Sequence, residues 1–261
     1  MQANRQLISR SVAALVIGLL LSIKPGLCSE AHAVSPTVDA VIAYVKSDYA
    51  KALGLLTPLA KQGDETAQLL LGRMYSQRKG VPSNNFTALE FYRRAAEQGN
   101  ADAQFELGIM YRDGLGTVVD GRKSLYWLKR VADRGVPHAY NAIGELYLGH
   151  KDIPQDYLAA LEWFRRGAEL VSAAAMYHIG VLYALGLGVE RDEIEAFKWF
   201  DLAAAVEPGN DKAIHARIAL AERLMPLQIW EAKINAENWL SDSSCCSPHI
   251  STAGGQFVVG R

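Results

Sequence analysis

Between residues 65 and 210 the apolar positions recur three and four residues apart in short stretches separated by glycine-containing or polar breaks, a pattern that predicts a series of amphipathic helices. Residues 102–113 form one such stretch and 121–134 the next, with Gly114-Leu115-Gly116 between them, so the pair reads as a helical hairpin. The hairpin repeats. Shifting the chain on itself by 36 residues superimposes Ala67, Ala103, Ala139 and Ala175, then Leu71-Gly72, Leu107-Gly108, Ile143-Gly144 and Ile179-Gly180. Tyr75, Tyr111, Tyr147 and Tyr183 fall in register, as do Phe91, Trp127, Trp163 and Trp199, and then Ala96, Ala132, Ala168 and Ala204. A fixed period of this length marks a repeat architecture in which each hairpin buries its apolar face only against its neighbours. The predicted fold class is all-α, built of tandem antiparallel helix hairpins.

Local chemistry sharpens the prediction. Gly80, Gly116 and Gly188 sit where a first helix ends, and a left-handed backbone there favours glycine. Asp120, Asp156 and Asp192, with Asn84 in the same column, are placed to accept from the free N–H groups of each second helix. Gly72, Gly108, Gly144 and Gly180 lie inside the first helices, where each costs about 1 kcal/mol relative to alanine. Close approach of a neighbouring helix, with Ala96, Ala132, Ala168 and Ala204 as the small residues opposite, is the expected reason for them. The third repeat carries Gly149-His150-Lys151 and Asp152 instead of the loop glycine, so its loop is expected to take a different path.

The period divides the chain into four repeats, 65–100, 101–136, 137–172 and 173–210, preceded by a partial repeat over 34–64 whose short first helix spans 38–46. Residues 211–240 read as two capping helices, the second opened by Pro226. Residues 241–261, rich in serine and glycine and without periodicity, read as a disordered tail. Residues 1–33 have the form of a cleavable export signal: Arg5 and Arg10, an apolar run from Ser11 to Ile23, and Ala31-His32-Ala33 as the cleavage pattern. The run falls short of the roughly 20 residues that a membrane-spanning helix needs. A periplasmic location is therefore expected, with secretion as the alternative.

Composition narrows the function classes. Cleavage after residue 33 removes three basic residues and one acidic residue from the 27 and 28 of the chain, leaving a net charge near −3. So mild a balance gives no electrostatic case for nucleic acid. The cysteines are Cys28, lost with the signal, and the adjacent pair Cys245 and Cys246, too close for an ordinary intrachain disulfide. The fold must hold by packing. No sequence pattern provides an activated nucleophile, a phosphate-cradling loop or a His-Glu-x-x-His metal motif. Glu145 and His138 stand two turns apart on one helix and read as a solvated face, and His178 reads as a packed or rim residue. The chain is thus expected to be no enzyme and to need no cofactor or metal.

The unit written as ADAQFELGIMYRDGLG, followed by a helix ending in WLKRVADRG, resembles the Sel-1-like repeat, a relative of the tetratricopeptide repeat, over residues 48–210. The resemblance implies a right-handed superhelix of helix pairs used as an adaptor in protein complexes, and in exported members a regulator or assembly factor of an envelope complex. A disulfide-bridged branch of the family is associated with penicillin or peptidoglycan-like ligands, and this chain has none of those cysteines. The tetratricopeptide phase carried over from the Leu-Gly and Tyr anchors places Leu69, Arg73 and Ser76 on the concave groove of the first repeat. Phe105, Ile109 and Arg112 follow in the second, Asn141, Glu145 and Leu148 in the third, and Tyr177, Val181 and Ala184 in the fourth. This mixture suits a groove that holds a peptide or helix of another protein. Phe105, Ile109, Tyr177 and Val181 are equally compatible with packing between helices, while Tyr111, Trp127, Trp163 and Trp199 read as core. The alternative function is a peptidoglycan or glycan binder, or a hydrolase acting on the cell wall.

Overall fold

The computed structural model describes residues 35–244, 250–253 and 256–259. The expected export signal and the cysteine pair lie outside the described residues. Among the described residues the helices are α1 Pro36–Val45, α2 Tyr49–Lys61, α3 Glu65–Ser76, α4 Asn85–Glu97, α5 Ala101–Asp113, α6 Gly121–Ala132, α7 Pro137–Gly149, α8 Tyr157–Glu169, α9 Ala173–Leu185, α10 Glu193–Val206, α11 Asp211–Ala221 and α12 Pro226–Ser244. They divide between Val119 and Asp120 into two compact units, α1–α5 and α6–α12. No helix among the described residues is long and apolar enough to cross a membrane.

Each helix start follows from its sequence. Asp48, Asp64, Asn84 and Asn100 in the first unit accept from the backbone N–H three residues on. Asp120, Asp156, Ser172, Asp192 and Asn210 do the same in the second unit, at about 1 kcal/mol per cap. The helix ends differ from expectation. The left-handed residue that closes the first helices is Gly114 in α5 and Gly186 in α9, while Arg78 takes that conformation just after α3. Gly80, Gly116 and Gly188 are also left-handed, but two residues farther on, where the loop closes over the preceding hairpin. A Cβ at Gly116 would stand 2.3 Å from the Asn85 carbonyl oxygen, so this position excludes a side chain by space as well as by backbone.

The glycines inside the first helices also face something other than the expected alanines. A Cβ at Gly72 would lie 2.7 Å from the Tyr92 ring, one at Gly144 2.4 Å from Phe164, and one at Gly180 2.7 Å from Phe200. Each glycine makes room for an aromatic ring of its own hairpin's second helix, and the close seat of a large buried ring compensates the helix propensity lost. Successive hairpins are joined by a further device. Gln68 Nε2 donates to the Ala60 carbonyl at 3.1 Å, Gln104 Nε2 to Ala96 at 3.0 Å and Tyr140 Oη to Ala132 at 2.7 Å. A first-helix side chain thereby satisfies a last-turn carbonyl of the second helix before it.

The third repeat departs as its sequence requires. His150 is extended and forms an isolated antiparallel bridge with Ile153, and Gln155 Nε2 holds the Leu148 carbonyl at 2.6 Å. In the first unit Tyr44, Leu56, Leu71 and Met74 form the core, and in the second Phe164, Ile179, Leu182, Trp199 and Leu202. The chain then turns back so that Ala232, Ala236 and Leu240 of α12 pack on α10, with Trp239 edge-on to Trp199 at 5.2 Å. The last helix runs four residues past the expected Leu240. Within the stretch expected to be disordered, β1 (Ile250–Ala253) pairs antiparallel with β2 (Gln256–Val259).

Candidate interaction face on the first helices

The face at issue lies along the first helices of the hairpins, and each unit builds its own part. In the first unit Arg73, on the last turn of α3, reaches Asp102 at the start of α5, Nη2 to Oδ2 at 2.8 Å. Glu106, one turn further along α5, stands in the same field. Burial pushes the Glu106 carboxyl above its ordinary range; Arg73 pulls it back and Asp102 pushes it up further. Arg73 is held above its ordinary value: burial works against its charge, and Asp102 with Glu106 outweigh burial. Ser76 and Tyr92 hydrogen-bond through their hydroxyls at 3.0 Å, and burial raises the Tyr92 phenol far above its usual range. Lys79 Nζ donates to Tyr44 Oη at 3.0 Å and sits 4.9 Å from the centre of that ring. Burial takes the Tyr44 phenol up to about 12 and holds the Lys79 ammonium below its ordinary value.

In the second unit Asn141 Nδ2 on α7 donates to Glu145 Oε1 at 2.9 Å, and the same oxygen lies 3.4 Å from His178 Nε2 on α9. The His178 ring is fixed from two sides, stacked on Phe164 with centroids 4.8 Å apart and edge-on to Tyr177 at 5.5 Å. Tyr177 also leans on Phe200 at 5.6 Å, and Val181 and Ala184 pack against the apolar cluster of α10 and α11.

The expected groove residues therefore separate. Leu69 is 1% exposed and belongs to the core, which corrects its assignment to the groove. Arg73 and Ser76, on the same stripe of the helix, are only partly covered. Arg73, Ser76, Phe105, Ile109 and Arg112 are half-buried in the first unit, with Arg112 paired to its neighbour Asp113 at 2.7 Å. Asn141, Glu145, Leu148, Tyr177, Val181 and Ala184 are half-buried in the second. Tyr111 and Trp199 are core, whereas Trp127 and Trp163 are half-buried, with Arg166 5.1 Å from the Trp163 ring centre. His138 is exposed. No group of three or more metal-ligating side chains gathers among the described residues.

Sequence reasoning missed Asp102 and Glu106 as partners of Arg73, and His178 as partner of Glu145. A signal for Glu106 and His178 exists. Arg73 and Glu106, like Glu145 and His178, stand 33 residues apart, one 36-residue repeat less three. Residues so spaced fall side by side on neighbouring first helices, because three residues is nearly one helical turn.

The Sel1 repeat family matches residues 42–64, 66–100, 101–136, 137–172 and 173–205. Among solved structures, a Sel1 repeat protein from Oxalobacter formigenes is 31% identical, the match covering 68% of this chain and 72% of that one with a TM-score of 0.58. A protective antigen of uropathogenic Escherichia coli with the same repeat fold is 24% identical at a TM-score of 0.49. That match covers 87% of this chain and 58% of the antigen, so the chain spans little more than half of that relative. No curated protein sequence matches the chain.

Proposed function

The chain belongs to the Sel1 repeat family, and from that premise we propose that it is a non-catalytic interaction scaffold or regulator of an envelope complex, exported to the periplasm, which holds a partner protein against the exposed sides of its first helices. Repeats of this class act as interaction scaffolds because a regular row of first helices offers changeable side chains on an unchanging frame. The export-signal pattern of residues 1–33 supports the location.

The observation that carries the reading is the make-up of the face. Phe105 and Ile109 leave apolar surface beside Arg73 and Glu106 in one unit, and Tyr177 and Val181 do so beside Glu145 and His178 in the other. Half-exposed aromatic and aliphatic anchors bordered by partly desolvated charges are the composition of a protein interface core.

Affinity purification from the native envelope after mild crosslinking tests it, comparing the wild-type chain with a Phe105→Ala, Ile109→Ala, Tyr177→Ala variant whose circular dichroism is unchanged. A protein enriched by the wild type and lost with the variant is the expected result. Equal capture by both chains overturns the assignment of the face. Cell-wall fragments enriched with no accompanying protein would replace the scaffold reading with the glycan-binding one.

A further inference from the structure

The second unit carries a set of cations seated on aromatic rings instead of on carboxylates. Among the described residues Arg73, Arg93, Arg112, Arg191, Arg217 and Arg223 each hold a carboxylate. Lys129 and Arg130 in the last turn of α6, and Arg165 and Arg166 on α8, are exposed and pair with none. Lys129 Nζ lies 5.9 Å and Arg166 Cζ 5.1 Å from the centre of the Trp163 ring, so one ring seats both. Arg130 Cζ is 5.6 Å from the centre of the Tyr126 ring and 5.9 Å from that of Trp127, and its Nη1 donates to Tyr126 Oη at 3.3 Å. Arg165 Nη2 donates to Tyr183 Oη at 3.0 Å. Glu162 stands one turn before both arginines of α8, at the spacing of a helical ion pair, and neither takes it.

The four cations also keep the repeat register. Lys129 and Arg165 are 36 residues apart, as are Arg130 and Arg166, so the same two positions recur on the next second helix. Residues 121–134 hold five basic residues and one acidic residue, in a chain whose net charge is −1. A ring under a guanidinium or ammonium fixes a long side chain without neutralising it. The surface therefore presents positioned positive charge, and its complement is an anion. We propose that the outer sides of α6 and α8 dock an acidic segment of a partner protein, whose Asp and Glu carboxylates are taken by Lys129, Arg130, Arg165 and Arg166.

The geometry favours a protein segment over other anions. Arginine takes a carboxylate through two parallel N–H groups. Carboxylates seven residues apart on a helix stand roughly 10 Å from each other, close to the roughly 8–10 Å between the axes of packed helices that a two-row set of cations spans. A membrane-binding face turns its tryptophans outward into the headgroup layer, whereas Trp127 and Trp163 are half-buried with cations over them. The same cations cover the ring faces on which a neutral sugar would stack. This second-helix face is separate from the first-helix one and does not rest on the function proposed there.

Fluorescence anisotropy of a labelled octaglutamate peptide, titrated with the full chain at low and at high salt, tests the proposal. Saturable binding is expected, with a dissociation constant on the order of 10–100 μM at low salt and weaker binding at high salt. Arg130→Glu with Arg166→Glu should weaken it at least about tenfold with circular dichroism unchanged. Lys51→Glu with Lys61→Glu, which makes the same change of net charge at two exposed lysines of α2, should leave it within about twofold. The Phe105→Ala, Ile109→Ala, Tyr177→Ala variant should bind the peptide as the wild type does, which separates this face from the first-helix reading. Tyr126→Leu keeps every charge and removes a seat of Arg130, so a loss of about threefold is expected, and unchanged binding overturns the role of that ring. No binding, or equal loss in both charge-reversed variants, overturns the proposal. Phosphatidylglycerol vesicles or polygalacturonate held more tightly than the peptide, and released by Arg130→Glu with Arg166→Glu, would overturn the protein segment and give the face to a membrane or an acidic glycan.

Discussion

Arg73 and Glu145 occupy the same position two repeats apart, as do Glu106 and His178, yet the order of basic and acidic residues is reversed. In the first unit the cation comes first and faces Asp102 and Glu106; in the second the carboxylate comes first and faces His178. The surrounding frame is the same: Gly72 lies under the Tyr92 ring as Gly144 lies under Phe164, and both second helices start from a capping Asn or Asp. The difference teaches where the repeat is constrained. Packing fixes the glycine, the ring and the cap, while the side chains reaching across neighbouring first helices can exchange basic for acidic residue types, provided that each keeps a partner. Variable chemistry on an invariant frame is the property that a partner-selecting surface needs.

The comparison breaks first if the frame is not shared, and the largest effect is expected there. Leucine has the better helix propensity by most of 1 kcal/mol, so propensity alone predicts that Gly144→Leu stabilises the protein. A first side-chain carbon at that position already stands 2.4 Å from a Phe164 ring that is fully buried. Urea unfolding should show destabilisation by about 2–4 kcal/mol. A variant as stable as the parent would mean that the ring moves aside freely and that the glycine has no packing role.

A smaller effect separates the two charge arrangements. Glu106 titrates above the ordinary carboxylate range in the folded chain, because burial outweighs the attraction of Arg73. Unfolded, it loses its proton in the ordinary range. Between the two values the native state holds the extra proton, so this group's contribution is fully present below the unfolded pKa and is lost as pH rises through the folded one. Glu106→Gln removes that dependence. Its stability should match the wild type in acid and exceed it progressively toward neutral pH, read as unfolding free energy in urea across that window. A gap that stays constant with pH would show that Glu106 is not desolvated by its neighbours.

The frame was legible because it is written four times. Each hairpin packs only on its neighbours, so the 36-residue period exposes the glycines, caps and aromatic positions by simple superposition. What faces Gly144 was not legible. A helical pattern gives the buried side of a helix but not which residue of the next helix reaches it, and the ring of Phe164 lies there rather than Ala168. Leu69 was misplaced for a related reason: Phe105, Asn141 and Tyr177 are half-buried at the same helical phase, so its burial reflects what packs on the first repeat, which the period does not carry. The antiparallel pair in the tail is formed across a short connection by residues without helical periodicity, so the repeat register carried no trace of it. The polar pairs were partly legible, since a scan for basic and acidic residues 33 apart finds Arg73 with Glu106 and Glu145 with His178 but misses Arg73 with Asp102, 29 apart.

The Glu145–His178 pair should have the smallest effect of all, and its smallness is itself the test. The two side chains keep 34% and 24% of their surface exposed, and their nearest atoms are 3.4 Å apart. Pairs this open are worth between nothing and about 1 kcal/mol, because water screens them and ordering two side chains costs entropy. The stacking of His178 on Phe164 is a separate contribution that a ring without charge preserves. His178→Phe should therefore change stability by no more than about 0.5 kcal/mol, and a double-mutant cycle with Glu145→Gln should give a coupling energy below about 1 kcal/mol. Coupling well above that would make the pair part of the frame and limit the freedom to exchange basic and acidic residues that the two units display. Coupling near zero, with partner capture altered by either substitution, would place the pair's role in recognition and leave stability to the glycine and the ring beneath it.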